Sequence, residues 1–210
     1  MKKNLVVTIG GASNSLVSKS LEIVSCIQQA LKDFKDVPVE LRELSSLGNR
    51  HKTNEWFGKL NPNEYESLVV ISKSLGSIRL HQAYAKHRNQ IDKFKRVSLV
   101  FIDAHSPLPN YYGRLRGFTV KNVSKNVHGW SVYQHKSKPY GARLKFKGLF
   151  YQHEIMEDSI THFNIISHQT TELCIIDALD WAFFAKQGMS LPQMKLMDSE
   201  IPDERHLLKW

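Results

Sequence analysis

Two apolar runs, each stopped by small residues and followed at once by a helical pattern, constrain this chain more than any other feature. Leu5 to Ile9 (LVVTI) ends at Gly10-Gly11, after which Val17, Leu21, Val24, Ile27, Leu31 and Phe34 recur at three- and four-residue spacing. Leu68 to Ile71 (LVVI) ends in Ser-Lys-Ser-Leu-Gly and opens a helix expected from about Leu75 to His87. A strand that is apolar without alternation is buried on both faces, the signature of a parallel sheet with helical crossovers. Val37 to Leu44 alternates and reads as a second, more peripheral strand. Val97 to Ile102 is a further buried strand ending at Asp103, and Val127 to Tyr133 and Leu149 to Met156 are two more, the first weakened by Gly129. A final helix is expected over about Thr170 to Lys186, with Leu173, Ile176, Leu179, Ala182 and Phe183 on one face. Strands alternating with helices predict an α/β fold, a three-layer sandwich around a mostly parallel sheet. With no linker, repeat or low-complexity tract, residues 1–210 read as one domain, the stretch after Gly188 being unassigned.

Composition narrows the function classes. At 41% hydrophobic and 23% charged, the 210 residues are those of an ordinary globular chain, and no apolar run approaches the roughly 20 residues of a membrane span. The opening MKKNLVVTIGG carries two lysines and a short apolar run but no cleavage-like segment, so it reads as a first strand and the protein as cytoplasmic. Cys26 and Cys174 lie in apolar helical patterns without metal-like spacing, which predicts reduced core thiols. The net charge of +9 is spread from Lys2 to Lys209 with no nucleic-acid motif. A solvated basic surface is the reading, no nucleic-acid partner is expected, and affinity for anionic lipid or an acidic substrate stays open. QHEIMED falls short of His-Glu-x-x-His because position 157 is Glu157, and Gly10-Gly11 lacks the third glycine of a dinucleotide loop. Neither metal nor organic cofactor is expected.

Reactive groups in an open parallel sheet gather at the carboxyl ends of its strands. Here those ends offer, in order, Gly10-Gly11-Ala12-Ser13, Ser72-Lys73-Ser74-Leu75-Gly76, Asp103-Ala104-His105 and Thr161-His162-Phe163-Asn164-Ile165. The order serine, acid, histidine matters because a serine hydroxyl attacks an acyl carbon only when a base takes its proton, and the base needs an acid to orient it.

VVISKSLGS resembles the nucleophile elbow of the α/β-hydrolase superfamily, Gly-x-Ser-x-Gly between a strand and a helix, with Ser72 in place of the first glycine. THFNI is similar in detail to a segment of the superfamily, and FIDAHSP resembles the corresponding sequence of thioesterase-like members. The short interval between Asp103 and the next strand makes the chain look like a minimal, lidless one. The resemblance implies Ser74 as nucleophile, His162 as base and Asp103 as acid, Asp158 being the alternative acid. In many members the acid follows a later strand, where this chain has Gln134, His135 and Lys136 and no carboxylate. It further implies an oxyanion hole from the amides of Leu75 and Ala12, and substrate contacts from Gly11, Ser13, Lys73, His105 and Tyr111.

Taken by themselves, Lys73 and Arg114 read as solvated cations and His105 as a surface histidine. His168 reads as a helix cap or a solvated side chain, and Trp56, Phe57, Tyr111 and Tyr112 as loop aromatics lining the pocket. The expected function is hydrolysis of a small-molecule carboxylic ester or thioester through an acyl-enzyme on Ser74. The alternatives are acyl transfer by the same residues, or a hydrolase-like binding domain in which Ser72 marks relaxed constraint. Acyl and leaving-group preference and oligomeric state are open.

Overall fold

The computed structural model describes residues 2–10, 16–44, 50–105, 119–121, 123–138 and 140–184, the side chains of 16–22, 50 and 51 excepted. In chain order the elements are β1 (Lys3–Ile9), α1 (Leu16–Leu31), β2 (Val39–Leu44), α2 (Arg50–Lys59), β3 (Tyr65–Lys73), α3 (Leu75–Ile91), β4 (Arg96–Ile102), β5 (Thr119–Val120), β6 (Val127–Gln134), β7 (Lys145–Phe146), β8 (Leu149–Ile155) and α4 (Gln169–Phe184). Six strands form one sheet in the order β2-β1-β3-β4-β6-β8, and every neighbouring pair in it is parallel. Strands β5 and β7 pair separately.

The uninterrupted apolar runs follow from a core on each face. Leu5, Val7, Ile9, Leu68, Val70, Leu99 and Phe101 point to the side covered by α2 and α3, where Phe57, Leu80 and Tyr84 meet them. The residues between them, Val6, Val69, Ile71, Val100 and Ile102, point to the side of α1 and α4 and meet Ile23, Ile27, Ile175 and Leu179. Each buried Leu, Val or Ile contributes about 2 kcal/mol of transfer free energy, so a run apolar at every position is stabilised only if both faces are covered. From β1 the chain first steps outward to β2, then returns past β1 to β3. The order therefore reverses between β1 and β3, the kind of switch point at whose carboxyl ends open α/β sheets bind ligands.

Several boundaries differ from the sequence expectation for identifiable reasons. Helix α2 was not anticipated, because RHKTNEWFGK offers few apolar residues and no amphipathic repeat. Phe57 docks it on α3, fully buried, with Trp56 packed alongside. These two aromatics therefore belong to a helix and the core, and are not loop residues lining a pocket. Val37 stands outside β2 because its amide closes a turn onto the carbonyl of Phe34. Helix α3 runs one turn beyond His87, where the backbone kinks to φ −112°, ψ 18°. Gly129 does not interrupt β6. The rings of Phe146 and Phe150 lie on it, and a Cβ there would come within 2.8 Å of both.

Cys26 and Cys174 are free, and burial pushes their thiols up to about 11 and about 12. No described helix is long and apolar enough to cross a membrane.

Candidate active site

Ser74 and Asp103 are the positive-φ non-glycine residues among those described, at φ 55° and 44°. They occupy equivalent places. Each follows the last residue of its strand, and its amide makes one more sheet-like bond: Ser74 N–H to Ile102 O at 3.0 Å, Asp103 N–H to Val132 O at 2.7 Å. The ladder thus holds the amide while the positive φ turns the side chain up out of the sheet. Such a backbone state costs a non-glycine residue about 1–3 kcal/mol.

The elbow turns tightly. A Cβ on Gly76 would meet Ile9 O at 2.2 Å, so only glycine lets the start of α3 pass the end of β1. Ser72, fully buried, is accommodated by its own bonds, its hydroxyl donating to Val100 O at 2.8 Å and lying 3.2 Å from Ser77 Oγ.

The third side chain arrives from the far edge of the sheet. After β8, Asn164 Oδ1 accepts from both the amide and the hydroxyl of Thr161, closing a turn that presents His162. His162 Nδ1 lies 2.6 Å from Asp103 Oδ2 and its Nε2 lies 2.9 Å from Ser74 Oγ. An ionised carboxylate only accepts, so Nδ1 carries the proton and donates it, leaving Nε2 to accept from the Ser74 hydroxyl. Ser74, Asp103 and His162 are 5%, 0% and 7% exposed, which keeps competing water away from the chain of bonds. The arrangement can pass the Ser74 proton to the imidazole and hold the resulting cation against a carboxylate. Leu75, whose amide is the first of α3, follows the hydroxyl directly.

The other expected contacts divide. Asp158 is not the carboxylate that meets His162: its side chain is 89% exposed and pairs with Lys136 at 3.2 Å. Lys73 is not the solvated cation expected. It is 5% exposed, and its Nζ donates to Phe163 O at 3.1 Å, tying the His162 turn to the end of β3. His105 lies inside the cluster, not on an open surface, its ring 5.6 Å from that of His162 and its Nδ1 3.2 Å from Tyr140 O. Burial first, and the neighbouring His162 second, hold its pKa below the ordinary histidine value. His168 caps α4: its Nδ1 accepts the Thr170 amide and its Nε2 donates to Glu157. Gly11, Ala12, Ser13, Tyr111, Tyr112 and Arg114 lie outside the described residues. Among the described residues no group of three or more His, Cys, Asp or Glu is arranged to hold a metal ion.

Two residues around Asp103 were not anticipated. Gln134, the last residue of β6, donates its amide to Asp103 Oδ1 at 3.1 Å and its side-chain Nε2 to Oδ2 at 3.3 Å. A Cβ on Gly141 would meet Asp103 Oδ1 at 1.8 Å, so the carboxylate occupies the space a side chain would fill. Gln134 was legible as a place, the carboxyl end of a strand beside the acid, but its amide did not identify it as part of a site.

No protein-family model matches the sequence, and no curated protein matches it. Among solved structures, the lin2722 gene product of Listeria innocua is similar over 87% of this chain and 94% of its own, with 9% identity and a TM-score of 0.56. That likeness is one of fold. An ABC transporter solute-binding protein from Aeropyrum pernix K1 overlaps 62% of this chain and 28% of its own at 13% identity and a TM-score of 0.35, too slight to carry an argument.

Proposed function

We propose that this protein is a serine hydrolase of the α/β-hydrolase type that cleaves a carboxylic ester or thioester. The observation that carries the reading is the unbroken chain Ser74 Oγ, His162, Asp103 at 2.9 and 2.6 Å, built on a serine held at φ 55°. In this reading His162 Nε2 removes the Ser74 proton as the hydroxyl attacks the acyl carbon, and Asp103 stabilises the imidazolium. The leaving alcohol or thiol takes the proton from His162. Water then enters, is deprotonated by the same nitrogen and releases the acid from Ser74. The Leu75 amide, at the positive end of the α3 dipole, supplies one donor to the oxyanion, with Ala12 proposed for the second. His105, beside the base and favoured neutral by its lowered pKa, is proposed to contact substrate. The bonds made by Ser72 favour catalysis over an inert binding domain, because a satisfied buried hydroxyl adapts the elbow without loosening it.

The test is Ser74→Ala against short p-nitrophenyl esters and thioesters, with fluorophosphonate labelling in parallel. Hydrolysis should fall by about four to six orders of magnitude, labelling should vanish, and the melting temperature should move only a few degrees. Full activity in Ser74→Ala would refute the assignment.

A further inference from the structure

We propose that Gln134 is the positioning residue of the site, a two-point clamp that fixes which way the Asp103 carboxylate faces; this rests on the hydrolase reading above. A fully buried carboxylate needs donors on both oxygens to leave neither unpaired and to keep one rotamer. Here Oδ1 takes the Gln134 backbone amide at 3.1 Å, and Oδ2 takes Gln134 Nε2 at 3.3 Å alongside His162 Nδ1 at 2.6 Å.

The clamp is itself held in one orientation. Gln134 Oε1 accepts the Ser137 amide at 2.9 Å, and Nε2 also donates to Ser137 O at 2.9 Å. A flipped amide would set Oε1 against both Ser137 O and Asp103 Oδ2, two acceptors, so the side chain can present only its donor to the acid. The turn that follows closes behind it, with Gly141 N–H on Gln134 O at 2.9 Å and Ala142 N–H on Ala104 O at 2.8 Å. Gly141 leaves the space for Oδ1. The end of β6, where a hydrolase could carry its own acid, thus carries the group that aims the acid of β4.

Gln134→Met keeps the volume and the backbone amide and removes the side-chain donor to Asp103, together with both bonds of the carboxamide to Ser137. Gln134→Glu keeps the shape and replaces the donor with a like charge. For Gln134→Met the expectation is a kcat lower by about tenfold with KM within twofold and a melting temperature within a few degrees. Gln134→Glu should lose more kcat still. In proton NMR the deshielded resonance of the proton between His162 Nδ1 and Asp103 should move upfield in Gln134→Met. A kcat within twofold of the parent, with that resonance unmoved, would overturn the proposal. If the parent neither turns over any ester or thioester nor reacts with a fluorophosphonate, the hydrolase reading fails, and the resonance still decides whether Gln134 aims the carboxylate.

Discussion

The two ends of β3 and β4 are built on opposite terms. At the carboxyl end the backbone is strained at Ser74 and Asp103, and the buried polar side chains there converge on one another across 59 and 88 residues of chain. At the amino end the same strands carry no positive-φ non-glycine residue. Their polar groups also bond between distant segments, but they set no hydroxyl against an imidazole: Ser67 Oγ donates to Asn4 Oδ1 at 2.7 Å, Lys95 pairs with Glu66 at 2.5 Å, and Arg96 Nη2 donates to Phe183 O at 3.1 Å. A cavity of about 480 Å³ opens at that amino end, lined by Lys2, Asn4, Phe34, Glu66, Arg96 and Phe184 among others. It has room for a ligand but no nucleophile set against a base. The comparison teaches that a cavity and a strained, convergent set of polar side chains need not coincide in one molecule.

The sharpest way to break this contrast is Asp103→Asn. It should lower kcat/KM for any ester or thioester the parent hydrolyses by about 10⁴-fold, because the amide favours the wrong tautomer of His162. Only a small loss would mean that the carboxylate does not orient the base.

Acid stability probes the other end. His128, near the start of β6, is stacked on Trp181 with ring centroids 3.8 Å apart, and burial pushes its pKa down from 6.5 to about 4. Between those values the unfolded chain binds more protons than the folded one, so stability is complete above pH 6.5 and is lost as the pH falls toward 4. His128→Phe should move the acid-unfolding midpoint to lower pH and leave any ester or thioester hydrolysis by the parent unchanged at pH 7.5. An unmoved midpoint would count against a neutral, buried imidazole.

A smaller effect tests the strain directly. Ser74→Gly relieves a positive φ and should raise stability by about 1 kcal/mol in urea denaturation, whereas Ser74→Ala keeps the strain and should not. Equal stability of the two variants would remove strain from the account. Smallest of all, Glu66→Gln should cost less than about 1 kcal/mol and leave any kcat/KM of the parent within twofold, since a partly exposed ion pair contributes little and Glu66 lies at the end of β3 opposite Ser74. A large loss of activity there would dissolve the contrast between the ends.

Much of the layout was legible in the residues. LVVI is apolar at every position and LVVTI at all but Thr8 because both faces of β1 and β3 are covered, and that is a one-dimensional signal. The elbow was legible because small residues must flank a turn this tight, as the contact between Gly76 and Ile9 O shows. Helix α2 was not legible, since it is held by one buried phenyl ring and not by a repeat. Lys73 was misread because no pattern in the chain says that its ammonium will find the carbonyl of Phe163, 90 residues away. Gln134 was passed over because an amide looks inert until a carboxylate stands beside it.

The amino-acid sequence by itself determined the alternation of buried strands with helices, and with it a parallel sheet with Ser74 and Asp103 at the carboxyl ends of its strands. It also determined which serine stands in the tight turn, because backbone sterics there admit only small neighbours. Only the tertiary structure decided that Asp103 and not Asp158 meets His162, and that Gln134 and Gly141 shape the place where it does. Those are contacts between segments far apart in the chain, and their distances depend on how the strands are ordered in the sheet.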